Sequence, residues 1–347
     1  MDILNNPFIT YDCIRASVNA TEKEKQEFNV EYGDILFQRS SETLEDVGHA
    51  NVYLDSRTAL FGGFTIRGKK KGVYNPLFFK YLLDSPTARK KVIVKGAGAQ
   101  HFNIGQEGLS KVVLSFPSIQ EQNRIAVFMN LLDQRIAIQN KVIERYRSLI
   151  QALVQQASHK STQTVYLKEI LKERKELNSQ GYDVCSVSVS KGVVNQVEYL
   201  GRSFAAKETR HYNVVRHGDI VYTKSPTGDF PYGIVKQSFL DNPVAVSPLY
   251  GVYIPESYEI GVYLHYYFES AKNALNYLHK LIQKGAKNTI NITNQHFLEN
   301  TIKIPSAAYL TRLVSAILSV DSRIRSEESA LLLYQQQKQY MLSSLFL

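Results

Sequence analysis

The chain has 347 residues, of which 44% are hydrophobic and 21% charged, and its formal net charge is +9. Typical domains have about 100 to 150 residues, so two domains are expected. The sequence has no uncharged apolar run long enough to cross a bilayer, no basic leader of a secretory signal, and no cysteine spacing typical of zinc sites or disulfide frameworks. We therefore expect a cytoplasmic protein without a membrane partner.

The first 117 residues predict a small α+β domain. Short β-branched and aromatic runs bounded by Gly, Asp, Asn or Ser indicate strands, namely GDILFQRS (33–40), HANVYLDS (49–56) and GGFTIRG (62–68). The stretch NPLFFKYLLDSPTARKKVIV (75–94) predicts an amphipathic helix, although its KVIV end is equally compatible with a strand.

A long helix follows. From Ile119 to about Gln156 the chain contains neither Gly nor Pro, and apolar residues recur at alternating steps of three and four, which is typical of a coiled coil. Roughly 40 helical residues span about 60 Å, too long for a strut inside one domain. The alternative is a helix that packs only on its own domain. The predicted seam is Met129, Leu132, Ile136, Gln139, Ile143, Tyr146, Ile150 and Leu153.

The second half repeats this order. Strand-like runs at 183–190, 192–200, 218–225 and 232–240 precede a predicted amphipathic helix at 261–284 and a second long helix. Its seam, found by adding 188 to the first, is Ile317, Val320, Ile324, Glu327, Leu331, Tyr334, Lys338 and Met341.

The two halves match at ordered landmarks. Gly33 and Gly218 are 185 positions apart, and Pro117 with Pro305 and Asp133 with Asp321 are each 188 apart. A repeated spacing of this kind indicates an internal duplication. We predict an α+β fold with domains at 1–117 and 158–305, each followed by a long helix, at 118–157 and 306–347.

No enzymatic motif emerges. KVIVKGAGAQHFNI (91–104) resembles a nucleotide loop, but it lacks the third glycine of G-x-G-x-x-G and leads toward an extended segment, so we expect a turn. In this turn Gln100 and Asn103 are polar groups that either brace the chain or approach DNA. YNPLFF (74–79) lacks the second proline of an amino-methyltransferase motif, and the histidines form no ligand pair at helical spacing.

The remaining polar residues suit DNA binding, which the basic net charge also favours. Arg and Gln make bidentate contacts with base edges, hydroxyls contact bases or phosphates, and Lys suits phosphates. An ordinary solvated turn is the alternative for each residue. The candidates are Gln38, Arg39, Ser40, Ser41, Arg67, Lys69, Lys70, Lys71 and Gln100 in the first half, and Lys207, Arg210, His211, Thr223, Lys224, Ser225, Lys287 and Asn288 in the second.

On these residues the chain resembles a specificity subunit of a Type I restriction-modification enzyme. The resemblance is carried by YGDILFQRSSETLEDVGHANVYLD (32–55), by HFNIGQEGLSKVVLSFPSIQEQNRIAVFMNLLDQRIAIQNKVIERYRSLIQALVQQ (101–156), by HGDIVYTKS (217–225), and by NITNQHFLENTIKIPS (291–306). It implies two target-recognition domains related by a pseudo-twofold repeat, each reading half of a split DNA site, joined by two long antiparallel coiled-coil helices that set the gap.

The resemblance also implies partners and a division of labour. The chain would be non-catalytic and hold no cofactor, while modification (methyltransferase) subunits bind S-adenosylmethionine and restriction/translocase subunits bind ATP and Mg. Glu121 and Gln122 are the candidates for partner docking, and Tyr309 and Leu310 replace this pair in the second copy.

One departure concerns the first domain. The strand and helix of the family's usual opening, matched by VYLKEILKERKEL (165–177), have no counterpart before Gly33, so we expect either a shortened first recognition domain or one whose start lies upstream of Met1. Self-association or a second half-subunit is one way to complete a short first reader. The alternative function is a coiled-coil scaffold that binds protein partners without reading DNA sequence, and a further alternative is an active modification enzyme.

Overall fold

The computed structural model describes residues 2–98, 100–197, 208–284 and 290–346. The chain divides into two compact units. Unit 1 comprises Met1–Lys141 with Glu328–Leu347, and unit 2 comprises Val142–Glu327. Each unit therefore contains a portion of both long helices. In the described ranges, no helix has the length and hydropathy needed to span a membrane.

Unit 1 combines short helices with small antiparallel sheets, as the sequence predicts. Its helices are α1 (Asp2–Asn5), α2 (Glu22–Glu27), α3 (Pro76–Asp84), α4 (Pro86–Ile93), α5 (Gln106–Ser110) and the first part of α6 (Ile119–Lys160), with a 3-10 turn at Tyr11–Cys13. Its strands are β1 (Asn29–Val30), β2 (Ile35–Gln38), β3 (Ser40–Ser41), β4 (Ala50–Val52), β5 (Ala59–Leu60), β6 (Thr65–Gly68) and β7 (Phe102–Asn103).

The central sheet of unit 1 has the order β4–β2–β6 and is antiparallel throughout. Successive strand side chains point to opposite faces, so the sheet can be covered on both sides. Leu36 packs into an apolar cluster with Ile9 and Tyr53, whereas Ile66 packs into another with Val92. The sheet is therefore held between two cores, and its strand ends remain available for loops.

Unit 2 contains the same kinds of elements. Its helices are the rest of α6, α7 (Leu167–Ile170), α8 (Tyr258–Glu269), α9 (Ala271–Leu278), α10 (Asn294–Phe297) and the first part of α11 (Ala307–Ser344), with a 3-10 turn at His279–Leu281. Its strands are β8 (Gln163–Tyr166), β9 (Leu171–Glu173), β10 (Cys185–Ser188), β11 (Gly192–Asn195), β12 (Asn213–Val215), β13 (Ile220–Tyr222), β14 (Val235–Gln237), β15 (Val244–Val246), β16 (Gly251–Pro255), β17 (Gln283–Lys284), β18 (Ile290–Asn291) and β19 (Thr301–Ile304).

Three strand pairings occur in both units with the same register. The β2–β4 pair, in which Ile35 faces Val52, recurs as β13–β14, in which Ile220 faces Gln237. The β2–β6 pair recurs as β13–β16, and the β1–β5 pair recurs as β12–β15. Every partner is shifted by 185 positions, the spacing that the two Gly-Asp motifs have in the sequence.

The Gly-Asp motifs form the same turn in both units. Gly33 and Gly218 have φ values of 92° and 87°, a left-handed conformation that glycine adopts without a Cβ penalty. The carboxylates of Asp34 and Asp219 each accept a hydrogen bond from the backbone N–H three residues earlier, at 3.0 and 2.8 Å. Each motif thereby fixes the start of the central strand.

The units differ at one sheet edge. In unit 2 the fourth strand, β9, pairs with β16, and Arg174 binds the buried carboxylate of Asp219 through Nε at 2.6 Å and Nη2 at 3.0 Å. Among the described residues of unit 1 no strand takes this place, and β6 forms the edge. There Asp34 accepts from the backbone N–H of Lys70 at 3.0 Å.

Each amphipathic helix that the sequence predicts as one element is in fact two. Ser85 separates α3 from α4, and its side chain caps α4 by accepting from the N–H of Ala88. Ser270 separates α8 from α9 in the same way, accepting from the N–H of Asn273. The KVIV end belongs to α4 up to Ile93 and is not a strand.

The two long helices, α6 (Ile119–Lys160) and α11 (Ala307–Ser344), lie where the sequence predicts long helices. All sixteen predicted seam residues are buried or half-buried. Within unit 1 the two helices contact each other: Lys338 binds Asp133 at 2.6 Å, and the guanidinium of Arg135 lies 5.3 Å from the ring centroid of Tyr334. Because the partner number falls as the α6 number rises, these segments of unit 1 run antiparallel.

A tyrosine joins each globular part to a long helix. In unit 1 the hydroxyl of Tyr81 on α3 donates to Asp133 of α6 at 2.9 Å. In unit 2 the equivalent residue, Tyr266 on α8, is buried and lies near enough to Asp321 of α11 for that carboxylate to act on its pKa. Burial, and then the neighbouring carboxylate, raises the pKa of both tyrosines well above its ordinary value, so both hydroxyls remain protonated donors.

Candidate nucleic-acid interface

The Gly-Ala-Gly stretch is a closed turn. Gly98 has φ 147°, and a Cβ built on it would lie 1.9 Å from the carbonyl oxygen of His101. The chain then enters β7, as expected, and α5 begins only at Gln106. Among residues 96–98 and 100–105, which the structure describes, no helix begins, so these residues do not form the helix N-terminus that holds a nucleotide phosphate.

One end of the unit 1 sheet gathers the residues most suited to contacting a base. At this end β2 finishes at Gln38, β6 begins at Thr65, and β3 pairs with β7. Arg39 is exposed, and its backbone N–H donates to the carbonyl of Phe64 at 2.9 Å. The Arg39 guanidinium donates weakly to the carbonyl of Gly63 at 3.5 Å, and most of its donors have no partner among the residues that the structure describes.

The hydroxyl residues that follow are partly exposed and braced. Ser40 pairs with Asn103 across β3 and β7, and its hydroxyl donates to the Asn103 side chain at 2.5 Å. Ser41 faces Phe102 in the same ladder. Gln100, in the turn before β7, is exposed. The structure thus brings Arg39, Ser40 and Asn103 together, although 63 positions separate the serine from the asparagine.

Gln38 lies at the same sheet end but points inward. Its side-chain amide donates to the carbonyl of Ser40 at 2.9 Å, and its side-chain oxygen is buried. Its geometry braces the turn, and a base contact would require this side chain to turn outward.

The other basic candidates of unit 1 occupy the opposite end of the sheet. In the antiparallel β2–β6 pair, Gly68 faces Ile35 at the start of β2, so Lys69–Lys71 lie beyond that end. Lys69 and Lys71 are exposed, whereas the ammonium of Lys70 lies 5.3 Å from the ring centroid of Tyr74. The four basic candidates and Arg39 therefore do not form one patch.

Arg67 is engaged within unit 1. Its guanidinium donates to the backbone carbonyl and side-chain oxygen of Asn29 and lies 5.4 Å from the ring centroid of Phe61. These contacts hold β6 against the segment that leads into β1.

In unit 2 the corresponding sheet end carries Lys224 and Ser225. Lys224 is half-buried and Ser225 is exposed, two and three residues after the end of β13. Burial lowers the pKa of Lys224, and Glu173 opposes this shift. A partly desolvated ammonium recovers favourable electrostatic energy when an acceptor on DNA replaces the lost water.

The burial of Thr223 argues against its predicted role as a DNA contact. It is 3% exposed, and its hydroxyl accepts from the backbone N–H of Ile234 at 3.1 Å. The threonine belongs to the structure of its loop, because its hydroxyl is used to close the segment between β13 and β14.

Arg210 and His211 lie at the same end of unit 2 as Lys224. They precede β12, and the Asn213 side chain donates to the carbonyl of Tyr250, immediately before β16 begins. Both are exposed, and Arg210 lies 3.9 Å from a carboxylate oxygen of Glu208. Lys207, Lys287 and Asn288 lie outside the described residues.

The two predicted docking residues, Glu121 and Gln122, differ in how deeply they are buried. Gln122 is 2% exposed; its amide donates to the carbonyl of Pro117 at 2.9 Å, and its oxygen accepts from the N–H of Asn75 at 3.0 Å. Gln122 therefore clamps the start of α6 to α3, which contradicts its expected exposure to a partner. The Glu121 side chain is 47% exposed and remains accessible.

Two turns at the sheet ends were not among the candidate sites predicted from the sequence. They span Gly62–Thr65 and Ser247–Tyr250, and they expose Phe64 and Leu249. The signals that mark them are the Gly-Gly and Ser-Pro pairs, which predict turns but not which side chain is presented.

Comparison with known proteins identifies a family for the first part of the chain. Residues 2–145 match the model described as the Type I restriction modification DNA specificity domain. A search of curated proteins found no match. The family resemblance stated from the sequence is thereby confirmed for residues 2–145.

Solved structures show the fold of the whole chain. The S subunit of a Type I restriction-modification system from M. genitalium is similar at 13% identity and a TM-score of 0.52, with 93% of this chain and 85% of that chain covered. A chain from a structural study of complex assembly and conformational transition in the Type I R-M system is similar at 14% identity and 0.51, with coverage of 90% and 81%. At these identities the likeness concerns the α+β fold with its long helices.

Proposed function

We propose that this chain, whose residues 2–145 form a Type I restriction-modification DNA specificity domain, is the sequence-specific DNA-recognition subunit of such a system. The globular part of unit 1 reads one half of a bipartite DNA site, and that of unit 2 reads the other half. Together they act as two target-recognition domains related by an internal repeat.

The strand register that recurs in both units is the observation that best supports two separate DNA-reading domains. β2 and β13 have equivalent partners at an offset of 185, and the same offset relates Arg39 to Lys224. Arg39 follows β2 directly and Lys224 lies two residues after β13, each at the sheet end that gathers the polar loops. Two equivalent readers of this kind suit a site that is split into two half-sites.

The long helices set the gap between the half-sites and dock the modification subunits. The buried seam and the antiparallel contacts of unit 1, between Asp133 and Lys338 and between Arg135 and Tyr334, support a coiled-coil pair. A helix pair is stiff, so helix length suits the role of a ruler for this gap. Glu121 is the accessible docking candidate at the start of α6.

The catalytic chemistry belongs to partner subunits. Modification subunits bind S-adenosylmethionine and methylate the DNA, and restriction/translocase subunits bind ATP and Mg. This chain supplies recognition in the prokaryotic cytoplasm, and self-association is one way to complete the sheet edge of unit 1.

Selection of DNA from a random duplex library tests the proposal. The chain, reconstituted with its modification subunits, should enrich one split motif with a fixed gap, and binding should weaken steeply with salt because phosphate contacts release counterions. Enrichment of no split motif would refute it. Labelled S-adenosylmethionine should bind the modification subunits and not the isolated chain; binding to the isolated chain would favour the modification-enzyme alternative.

A further inference from the structure

Two turns present a large apolar side chain at equivalent positions of the two units. Phe64 is 82% exposed and Leu249 is 70% exposed. Their positions differ by 185, the offset of the strand pairings. In both turns the residue after the apolar one donates its backbone N–H to the first residue of the turn, from Thr65 to Gly62 and from Tyr250 to Ser247, at 3.0 Å in each case.

This exposure is local and specific. No atom of the described residues lies within 4 Å of the place where a Cβ would stand on Gly62 or Gly63, so this face of the unit 1 turn is open. A polar residue in place of Phe64 or Leu249 would satisfy the hydrogen bonding of these turns equally well, because that position contributes only backbone groups; in unit 2 the N–H of Leu249 donates to the Ser247 hydroxyl at 3.3 Å. An apolar residue at the same place in both units is better explained by a ligand with an apolar feature than by folding.

The apolar residue stands beside the basic residue of each reader. In unit 1 the N–H of Arg39 donates to the carbonyl of Phe64 at 2.9 Å, which fixes the two residues next to each other. In unit 2, Tyr222 pairs with Gly251, so Lys224 and Leu249, each two residues beyond this pair, lie at the same sheet end. A hydrogen-bonding group and an apolar group are thus presented together.

Among the edges of the four bases in the major groove, one apolar feature stands out, the 5-methyl group of thymine. We propose that Phe64 and Leu249 each contact a thymine methyl in their own half-site, next to the base or phosphate contacted by Arg39 or Lys224. This inference rests on the proposed function and adds to it: each half-site contains a thymine that is read through its methyl group.

Single replacement of thymine by deoxyuridine tests the proposal, since it removes only the methyl group. Each half-site of the selected duplex should contain one thymine whose replacement alone weakens binding of the reconstituted complex about fourfold, the effect of one buried methyl group. Phe64→Ala should abolish the dependence at one position and leave the other unchanged, and Leu249→Ala should do the reverse. Val73→Ala is the control, because Val73 is 87% exposed beyond the opposite end of the unit 1 sheet.

The outcomes distinguish this inference from the function on which it rests. Half-sites without thymine, or binding that ignores every replacement while Arg39→Ala still alters one half-site, would overturn the methyl contact alone. Equal losses with Phe64→Ala on thymine and deoxyuridine duplexes would assign Phe64 to a wedge between base steps and overturn it as well. Failure to select any split motif would instead remove the proposed function.

Discussion

Replacing Tyr81 by phenylalanine removes one hydroxyl at the junction between α3 and the long helices. The ring is 1% exposed and would keep its packing, so the loss is confined to the 2.9 Å hydrogen bond to Asp133. A hydrogen bond to a charged group contributes about 1.5–3 kcal/mol. Asp133 retains Lys338 at 2.6 Å, and its side chain is 18% exposed, so water can replace part of the bond. We expect a loss of about 1.5 kcal/mol, at the lower end of this range.

Urea and thermal unfolding of the full chain measure this loss. For a unit of this size, about 1.5 kcal/mol corresponds to a fall in Tm of roughly 3–6 °C in the transition of unit 1. Tyr340→Phe is the matched control, because Tyr340 is 66% exposed on α11.

A double-mutant cycle extends the test to the helix pair. Tyr81 and Lys338 share the Asp133 carboxylate, and residues that share a partner couple by at least about 0.5 kcal/mol. Additive losses for Tyr81→Phe and Lys338→Met, or no difference between Tyr81→Phe and the Tyr340 control, would refute the reasoning.

Three further predictions concern the interior. Arg174→Ala leaves the buried carboxylate of Asp219 without its cation and should destabilise unit 2 by about 3 kcal/mol in urea unfolding; a loss below about 1 kcal/mol would contradict this. Met129→Ala should cost about 2–5 kcal/mol because Met129 is fully buried, whereas Val127→Ala, at a 60% exposed position of the same helix, should change stability little. Burial lowers the pKa of His265, and the Glu269 carboxylate partly opposes this shift. Below the ordinary histidine pKa of 6.5, the unfolded chain therefore takes up a proton at this residue that the folded chain does not. Stability should therefore fall as pH decreases from 6.5 towards the lower folded-state pKa, by at most about 1.4 kcal/mol per pH unit, and His265→Gln should reduce this slope between pH 6.5 and 5.5; an unchanged slope would exclude His265 as its source.

The strands and long helices could be predicted because their patterns are local. The Gly-Asp turns, β2 and β13 follow from short apolar runs bounded by breakers, and both helices follow from a heptad pattern sustained without Gly or Pro. The break at Ser85 was also present in the sequence, because Pro86 lacks the N–H that would continue α3 and suits the first turn of α4. The apolar periodicity on both sides of Ser85 concealed this break.

The candidate interface was less predictable because it depends on register and burial. Arg39 and Lys69 are both basic and exposed, but only the antiparallel pairing of β2 with β6 shows that they lie at opposite sheet ends. Thr223 and Gln122 looked available because they are polar, yet each satisfies a backbone group of its own unit. Phe64 carried no polar signal at all, and its exposure emerged only with the geometry of the turn.

The central claim is that each unit reads one half of a bipartite DNA site. A genome-wide map of methylated bases, compared between cells with the wild-type gene, without it, and with Arg39→Ala or Lys224→Ala, tests it most directly. One split motif should disappear with the gene, Arg39→Ala should relax or change one half of that motif, and Lys224→Ala should affect the other half. Loss of no motif, or the same change in both halves with either variant, would contradict the account.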